Sequence, residues 1–223
     1  MNENSSQEVL LFYIVCDESG SMGQNGGIEA INEALPELHA TLASDPLVVD
    51  KCRLSIIAFS DGAEMILPMC KVTDIPDMPG VQEAGVTNYG AAFTLLGQAI
   101  QTDVDGLKSQ GYRVYRACVF FMSDGEPTVH WEDAYNDLIN HPYRPHIVAF
   151  GVDGADADIL AKIATLRCYV GRDRASAGRA LANVMSSIGN TIITSTSNAH
   201  SGPANIDLPA AIDGFDTVPL DHL

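Results

Sequence analysis

The residues best suited to chemistry form a short, oxygen-rich segment near the start of the chain. Asp17, Ser19 and Ser21 alternate in the sequence DESGS, directly after an apolar run. A carboxylate and two hydroxyls at this spacing can reach one point, and such hard oxygen donors favour Mg²⁺, Ca²⁺ or Mn²⁺ over zinc or copper. Aspartate, serine and glycine are also ordinary turn-forming residues. This segment alone therefore leaves a metal site and a simple turn equally open.

Two further segments supply matching oxygen donors. Thr87 lies in GVTNYG, just before a predicted helix, and Asp124 lies in SDG, where a second apolar run ends. In open α/β sheets, ligands bind beyond the carboxyl ends of the strands. If the two apolar runs form neighbouring strands, all five groups share one edge of the sheet. The sequence therefore predicts a divalent-cation site made of Asp17, Ser19, Ser21, Thr87 and Asp124.

Elements of two kinds alternate along the chain and must position these donors. Continuous apolar runs are typical of strands buried on both faces, and they predict strands at 9–16, 53–59, 63–72, 114–122, 146–150 and 168–170. Apolar residues at helical spacing predict helices at about 28–42, 89–100, 131–139, 156–164 and 181–192.

This alternation predicts an α/β fold with a doubly wound, mostly parallel, Rossmann-like sheet and helices on both faces. The sequence Ser-Asp-Gly at 60–62 is a turn signal that joins two of the strands in a hairpin. That hairpin would supply one antiparallel edge strand. Pro36 falls inside the first long helix and should kink it or split it in two, because proline lacks the backbone N–H of a helical residue.

The 223 residues are predicted to form one main domain. Residues 1–7 are predicted to be a flexible N-terminus, residues 8–194 the domain, and residues 195–223 an acidic tail rich in Pro, Gly and Ser. The tail has no periodicity, which favours a mobile, solvated segment. The alternative is a segment that docks on its own domain or on a partner through its apolar residues, namely Ile206, Leu208, Phe215 and Leu220.

Composition and charge exclude several classes of protein. Acidic residues number 29 and basic residues 12, for a net charge of −17, which opposes binding along a phosphate backbone or on an anionic membrane surface. The longest strongly apolar run, at 10–16, is far shorter than the ~20 residues of a membrane-spanning helix. The N-terminus lacks the features of a signal peptide. We therefore expect a cytoplasmic protein that binds neither nucleic acid nor membrane.

The five cysteines fit the same expectation. They lack the short spacing of a zinc knuckle or a redox pair, and four of them, Cys16, Cys70, Cys118 and Cys168, interrupt apolar runs. Cysteines in such runs are predicted to be buried free thiols that act as small hydrophobic residues. Free thiols are typical of a reducing compartment.

The five oxygen donors resemble the metal-ion-dependent adhesion site of von Willebrand factor A domains. That site consists of D-x-S-x-S, a distant Thr and a distant Asp usually followed by Gly, and the sequence fills every position. The resemblance covers about residues 9–193. Within the family, the stretches CDESGSM, GVTNYGAAF and MSDGEPTVHWEDAY are most similar to TerY-like proteins of bacterial tellurite-resistance clusters, which are cytoplasmic and often encoded beside a protein kinase and a phosphatase.

The resemblance implies a metal-dependent protein-binding module that is not an enzyme and has no catalytic residues and no organic cofactor. Mg²⁺ is the default cation, with Ca²⁺ and Mn²⁺ as alternatives. Asp17 and Asp124 would act mostly through bridging water, and an Asp or Glu of a partner protein would complete the coordination. The resemblance also implies a candidate partner, namely a kinase or phosphatase of the same gene cluster. The implied biological role is in tellurite or stress resistance.

Two other functions remain open at this stage. One is a metal-dependent hydrolase or phosphatase, although phosphatases of the haloacid-dehalogenase type need a second carboxylate where this chain has Ser19. The acyl-transfer, dinucleotide and P-loop signatures are also missing from the sequence. The other is a domain whose metal is purely structural and which binds its partner through the tail.

Overall fold

The fold is built on a single sheet in the computed structural model, which describes residues 7–24, 26–172, 177–201 and 205–220. The predicted flexible N-terminus lies outside the described residues, apart from Gln7. The strands are β1 Glu8–Asp17, β2 Cys52–Phe59, β3 Ala63–Cys70, β4 Arg113–Val114, β5 Cys118–Ser123, β6 His146–Gly151, β7 Arg167–Gly171 and β8 Phe215–Val218.

Helices fill most of the connections between the strands. They are α1 Gly20–Gln24, α2 Gly27–Ala43, α3 Pro46–Lys51, α4 Tyr89–Ser109, α5 Glu132–Asn140, α6 Ala157–Ile163 and α7 Ala177–Ser201, with a 3₁₀ turn at Val72–Asp74. Within the described ranges, no helix is both long and apolar enough to cross a membrane.

The strand order confirms the predicted doubly wound sheet. It runs β3-β2-β1-β5-β6-β7-β8, and β4 also pairs with β1. The central strands are parallel, and β3 is antiparallel to β2 through the predicted hairpin. β1 and β5 are neighbours, with Cys16 opposite Met122, so their carboxyl ends meet at one edge. The other edge strand, β8, is also antiparallel and was not predicted.

Alternate residues of each central strand point into different halves of the core. On β1, Phe12 and Ile14 contribute to the cluster beneath α2 and α7. Tyr13 and Val15 contribute to the cluster beneath α4, α5 and α6. Both faces of the sheet are therefore covered, which explains why the strands read as continuous apolar runs. As predicted, Cys16, Cys118 and Cys168 are buried free thiols, and so is Cys52; Cys70 is free and half-buried.

Two predicted elements differ from the structure. Helix α2 is continuous through Pro36 and is not split, because Pro36 lies on the exposed face while Leu35 and Leu38 are buried in the core. The strand predicted at 114–122 is interrupted at residues 115–117, since β4 pairs with the first residues of β1 and β5 with residues farther along.

Over its described residues 205–220, the tail docks on its own domain, which was the second of the two predicted alternatives. Helix α7 continues past residue 194 to Ser201, and the chain then returns to add β8 to the sheet beside β7. Ile212 and Phe215 are buried, and Ile206, Leu208 and Leu220 pack against the two clusters of the core. The prediction of a mobile tail is wrong for this segment, because its widely spaced apolar residues find partners on α7 and β7.

Candidate metal centre

The five predicted donors meet where the two central strands end. Asp17 is the last residue of β1, with Ser19 in the turn that follows it and Ser21 in α1. Asp124 directly follows β5, and Thr87 precedes the first turn of α4. Because β1 and β5 are paired and parallel, the structure brings all five side chains to one edge of the sheet.

Four of the five donors are linked by hydrogen bonds. Ser21 Oγ donates to Asp124 Oδ1 at 2.8 Å, and the hydroxyl oxygens of Ser19 and Ser21 are 3.2 Å apart. Asp17 Oδ1 accepts from the backbone N–H of Ser19 at 2.9 Å, and its Oδ2 accepts from Ser123 Oγ at 2.5 Å. The hydrogen bonds fix the orientation of both carboxylates relative to the hydroxyls.

The fifth donor, Thr87, is held without a partner of its own. The residue is only 4% exposed, and its hydroxyl makes no hydrogen bond to any other residue that the structure describes. Every fully buried side-chain oxygen among those residues has a partner, so the Thr87 hydroxyl is in contact with solvent. A Cβ atom placed on Gly125 would lie 3.0 Å from Thr87 Oγ1 and 3.7 Å from Ser21 Oγ. The two hydroxyls therefore border one small space, which the glycine keeps open. A hydroxyl that is open to this space and bonded to no protein group is free to act as a cation ligand.

The electrostatics of the site also favour a cation. Asp17 is fully buried and Asp124 nearly so. Burial raises the pKa of Asp17 to about 6, and the charge of Asp124 adds to the rise, while hydrogen bonds from Ser123 and Ser19 oppose it. Two neighbouring buried carboxylates are costly unless a positive charge compensates them.

The chemistry of the donor set selects the kind of cation. Across the described ranges, no three His, Cys, Asp or Glu side chains gather into a group that could hold a metal ion. The site instead offers three hydroxyls with two carboxylates, which are oxygen donors throughout. Such donors suit hard cations, and Mg²⁺ keeps several waters when protein ligands are few. The residues present thus fit a hydrated divalent cation.

Two residues that support Asp17 were not assigned to the site from the sequence. Ser123 is the last residue of β5 and donates to Asp17. The hydroxyl oxygen of Tyr89 lies 2.9 Å from both Ser123 Oγ and the carbonyl oxygen of Gly125, and burial raises the pKa of Tyr89. The apolar spacing of α4 predicted Tyr89 to be a core residue, and nothing in the sequence indicates that its hydroxyl reaches the site.

Two neighbouring segments hold the Thr87 loop in place. Asp61 Oδ1 in the hairpin turn accepts from the backbone N–H of Val86 at 2.8 Å. The Asn88 side chain donates to the Asp61 carbonyl at 2.9 Å and also caps α4. On the other side, the Thr87 carbonyl accepts from Thr128, from its backbone N–H at 2.9 Å and from its hydroxyl at 3.0 Å. These bonds tie the Thr87 loop both to the hairpin and to the segment after β5.

Comparison with solved structures places the fold among known proteins. Proximal thread matrix protein 1 from the mussel byssus, with a zinc-occupied MIDAS motif, has a TM-score of 0.61 at 15% identity over 86% of this chain and 48% of its own. A von Willebrand factor type A protein from Catenulispora acidiphila has a TM-score of 0.57 at 19% identity, over 81% of this chain and 42% of its own. The pilus adhesin SpaC from Lactobacillus rhamnosus GG has a TM-score of 0.60 at 12% identity, over 85% of this chain and 30% of its own.

Sequence comparison identifies the family. The present chain spans less than half the length of each of these structural relatives, and their low identity supports the shared fold alone. No curated protein sequence matches the chain. The family model of the von Willebrand factor type A domain matches residues 12–126, just over half of the chain, and its matched region contains all five predicted donors. The chain therefore belongs to the von Willebrand factor type A domain family.

Proposed function

We propose that this chain is a metal-dependent protein-binding module that captures an acidic side chain of a partner protein. The cation would be held by Ser19, Ser21 and Thr87, with Asp17 and Asp124 orienting the site. When bound, the cation supplies positive charge and an open coordination position that a carboxylate can take. The observation that carries the proposal is the Thr87 hydroxyl, which has no hydrogen-bond partner among the described residues and faces Ser21 across the space at Gly125.

The residues of the chain have separable tasks in this proposal. Ser123 holds one oxygen of Asp17 and thereby fixes which oxygen faces the site. The Ser21 hydroxyl donates a hydrogen bond to Asp124, which leaves the lone pairs of the Ser21 oxygen available to a cation. Because neutral hydroxyls supply most of the donors, a bound divalent cation would keep much of its charge for the partner's carboxylate.

Mg²⁺ is the cation that we propose, because hydroxyl, carboxylate and water donors match its preferences. The same donors suit Ca²⁺ and Mn²⁺. The mussel relative carries zinc in its MIDAS motif, so Zn²⁺ and Ca²⁺ are titrated beside Mg²⁺ and Mn²⁺ to compare their affinities.

The cellular setting is proposed from the resemblance to TerY-like proteins. The proposed setting is the bacterial cytoplasm and tellurite or stress resistance, with a kinase or phosphatase of the same gene cluster as the proposed partner. The free cysteines and the net charge of −17 support a reducing compartment and a protein rather than a nucleic-acid or membrane partner.

We also propose that the chain is not an enzyme. Ser19 stands where a phosphatase of the haloacid-dehalogenase type needs its second carboxylate. A purely structural metal with binding through the tail is disfavoured, since the described part of the tail is engaged with α7 and β7.

Calorimetric titration tests the metal centre. Wild type should bind Mg²⁺ and Mn²⁺ at one site, and Thr87→Ala should weaken binding at least about tenfold because it removes a direct donor. The matched control is Thr94→Ala, which removes an exposed hydroxyl of α4 that bonds only to its own helix. Equal affinities in all three proteins would contradict the proposed site.

Partner capture tests the function. A partner should be retained from a bacterial lysate by wild type in Mg²⁺ but not in EDTA, and not by Thr87→Ala in Mg²⁺. Replacing its Asp and Glu residues one at a time should then abolish the complex at one position. Equal retention under all conditions would assign binding to another surface and leave the metal structural.

A further inference from the structure

Two large apolar side chains are strongly exposed among the residues that the structure describes, and both lie beside the metal centre. Val86 is 49% exposed and precedes Thr87, and Val129 is 45% exposed and follows Thr128. The two hydrogen bonds from Thr128 to the Thr87 carbonyl join their loops. A lone exposed valine needs no explanation, but two on joined loops at a binding site form an apolar contact surface.

Three exposed carboxylates and one half-buried carboxylate, Glu18, lie around the same centre. We call Glu18, Asp61, Glu83 and Glu126 the acidic rim. Glu18 bonds to the backbone N–H of Gln82 and its carbonyl to that of Ala84, which places it against the Thr87 loop. The Glu83 carboxylate packs against Gly23 of α1. The segments 17–24, 60–64, 80–90 and 123–133 contain no lysine and no arginine, and their one histidine, His130, lies against Glu132 and Asp133 rather than the rim.

Basic residues gather at the opposite edge of the sheet. Six of the twelve lysines and arginines lie within two residues of the start of a strand, where the amino ends of the strands meet; they are Lys51, Arg53, Arg113, Arg116, Arg144 and Arg167. These basic residues and the acidic rim therefore lie at opposite edges of the sheet. A bound cation offsets the two carboxylates of the centre but leaves the rim uncompensated.

We infer that the partner presents its metal-seeking carboxylate from a basic and apolar surface, with Lys or Arg facing the acidic rim and an aliphatic or aromatic side chain covering Val86 and Val129. The inference rests on the proposed function and specifies its partner. Dissolved salt screens the interaction between two charges beyond about 8 Å at physiological ionic strength. The rim therefore acts mainly on groups that are in contact with it. A uniformly acidic partner surface is repelled there, whereas a single carboxylate among basic residues satisfies both the cation and the rim.

Peptide display provides the test. A random peptide library is selected on the immobilised wild-type protein in Mg²⁺ and eluted with EDTA. The eluted peptides should carry an Asp or Glu flanked by Lys or Arg and by one large apolar residue. A synthetic peptide of the selected sequence should bind about tenfold more weakly when its basic residues are changed to Glu, because attraction to the rim becomes repulsion.

Two double variants test whether the acidic rim and the two exposed valines cause the peptides' preference for basic and apolar residues. Glu83→Gln with Glu126→Gln should abolish the enrichment of basic residues, and Val86→Ser with Val129→Ser should abolish that of apolar residues. The control, Glu33→Gln with Glu37→Gln, makes the same charge change on the exposed side of α2 and should select like wild type. Mg²⁺ affinity, measured by calorimetry, should remain within about twofold for the valine variant, because those side chains carry no donor.

The outcomes separate this inference from the function on which it rests. Peptides eluted by EDTA that contain Asp or Glu without basic or apolar enrichment would overturn the partner chemistry and leave capture of a carboxylate intact. No peptides eluted by EDTA from a protein that binds Mg²⁺ in the calorimeter would overturn both.

Discussion

Gly125 keeps the space between the hydroxyls of Thr87 and Ser21 open, and its substitution tests whether that space holds the cation. The Cβ of Gly125→Ala would lie 3.0 Å from Thr87 Oγ1. The φ angle of Gly125 is not positive, so alanine introduces no left-handed strain. We expect a folded protein whose Mn²⁺ affinity, measured by calorimetry, falls at least about tenfold because the donors are pushed apart.

Gly62→Ala is the matched control for this substitution. Gly62 lies in the hairpin turn of the same edge, its φ is not positive, and a Cβ atom there would meet nothing within 4 Å. Its Mn²⁺ affinity should equal that of wild type. If Gly125→Ala also binds like wild type, the cation does not occupy the space between Ser21 and Thr87.

The residues of the centre were predictable to different degrees. Asp17, Ser19 and Ser21 are close in sequence, and Asp124 ends a second apolar run, so parallel pairing of two strands suffices to unite them. Ser123 was not assigned because its bond to Asp17 depends on the register of β1 against β5. The register is set by packing on both faces of the sheet, which local sequence does not encode.

At the scale of elements, the returning tail should contribute strongly to stability. Phe215 at the start of β8 is 1% exposed and lies in the same cluster as α2 and α7. Phe215→Ala should therefore lower the free energy of unfolding by roughly 3–5 kcal/mol, the usual cost of emptying a buried aromatic site. Urea denaturation measures it, with Thr217→Ala as the control. Thr217 is exposed, and its hydroxyl makes one long hydrogen bond of 3.4 Å to the Ala210 carbonyl, so the control is expected within about 0.5 kcal/mol of wild type.

The strand β6 begins at a histidine that should make stability sensitive to pH. Burial lowers the pKa of His146, and the charges of Arg116 and Arg144 lower it further. The folded state then binds fewer protons than the unfolded state, so this contribution is present at neutral pH and is lost as pH falls below about 6.5. Between pH 7 and pH 5, His146→Gln should lose less stability in urea denaturation than wild type. Parallel curves for the two proteins would show that His146 does not titrate differently on folding.

Elements with strong periodicity were predicted, and those decided by long-range contacts were not. The central strands and α4 could be predicted because their buried positions require apolar residues at a regular spacing. Strand β8 was missed because only Phe215 and Val218 of its four residues are apolar, and it forms only through pairing with β7. Pro36 was expected to kink α2 or split it in two, and it does not split it, because the burial of Leu35 and Leu38 outweighs the hydrogen bond that proline cannot donate.

At the scale of the whole molecule, charge and metal binding act on stability together. The chain carries a net charge of −17, and self-repulsion of this kind destabilises a compact state. Any added salt should therefore raise the melting temperature by screening. A site-bound cation should raise it further, since a ligand that binds only the folded state stabilises that state.

A thermal melt in MgCl₂ against NaCl of equal ionic strength separates the two effects. At a Mg²⁺ concentration of about 100 times the Kd, binding adds ~2.7 kcal/mol, which corresponds to roughly 5–10 °C for a domain of this size. Thr87→Ala should respond to NaCl like wild type but lose at least about half of the additional rise in MgCl₂, because it keeps the charge of the chain and binds the cation at least about tenfold more weakly. If the variant retains that rise, Mg²⁺ stabilises the fold through the acidic surface in general, and the centre at the ends of β1 and β5 is not where it binds.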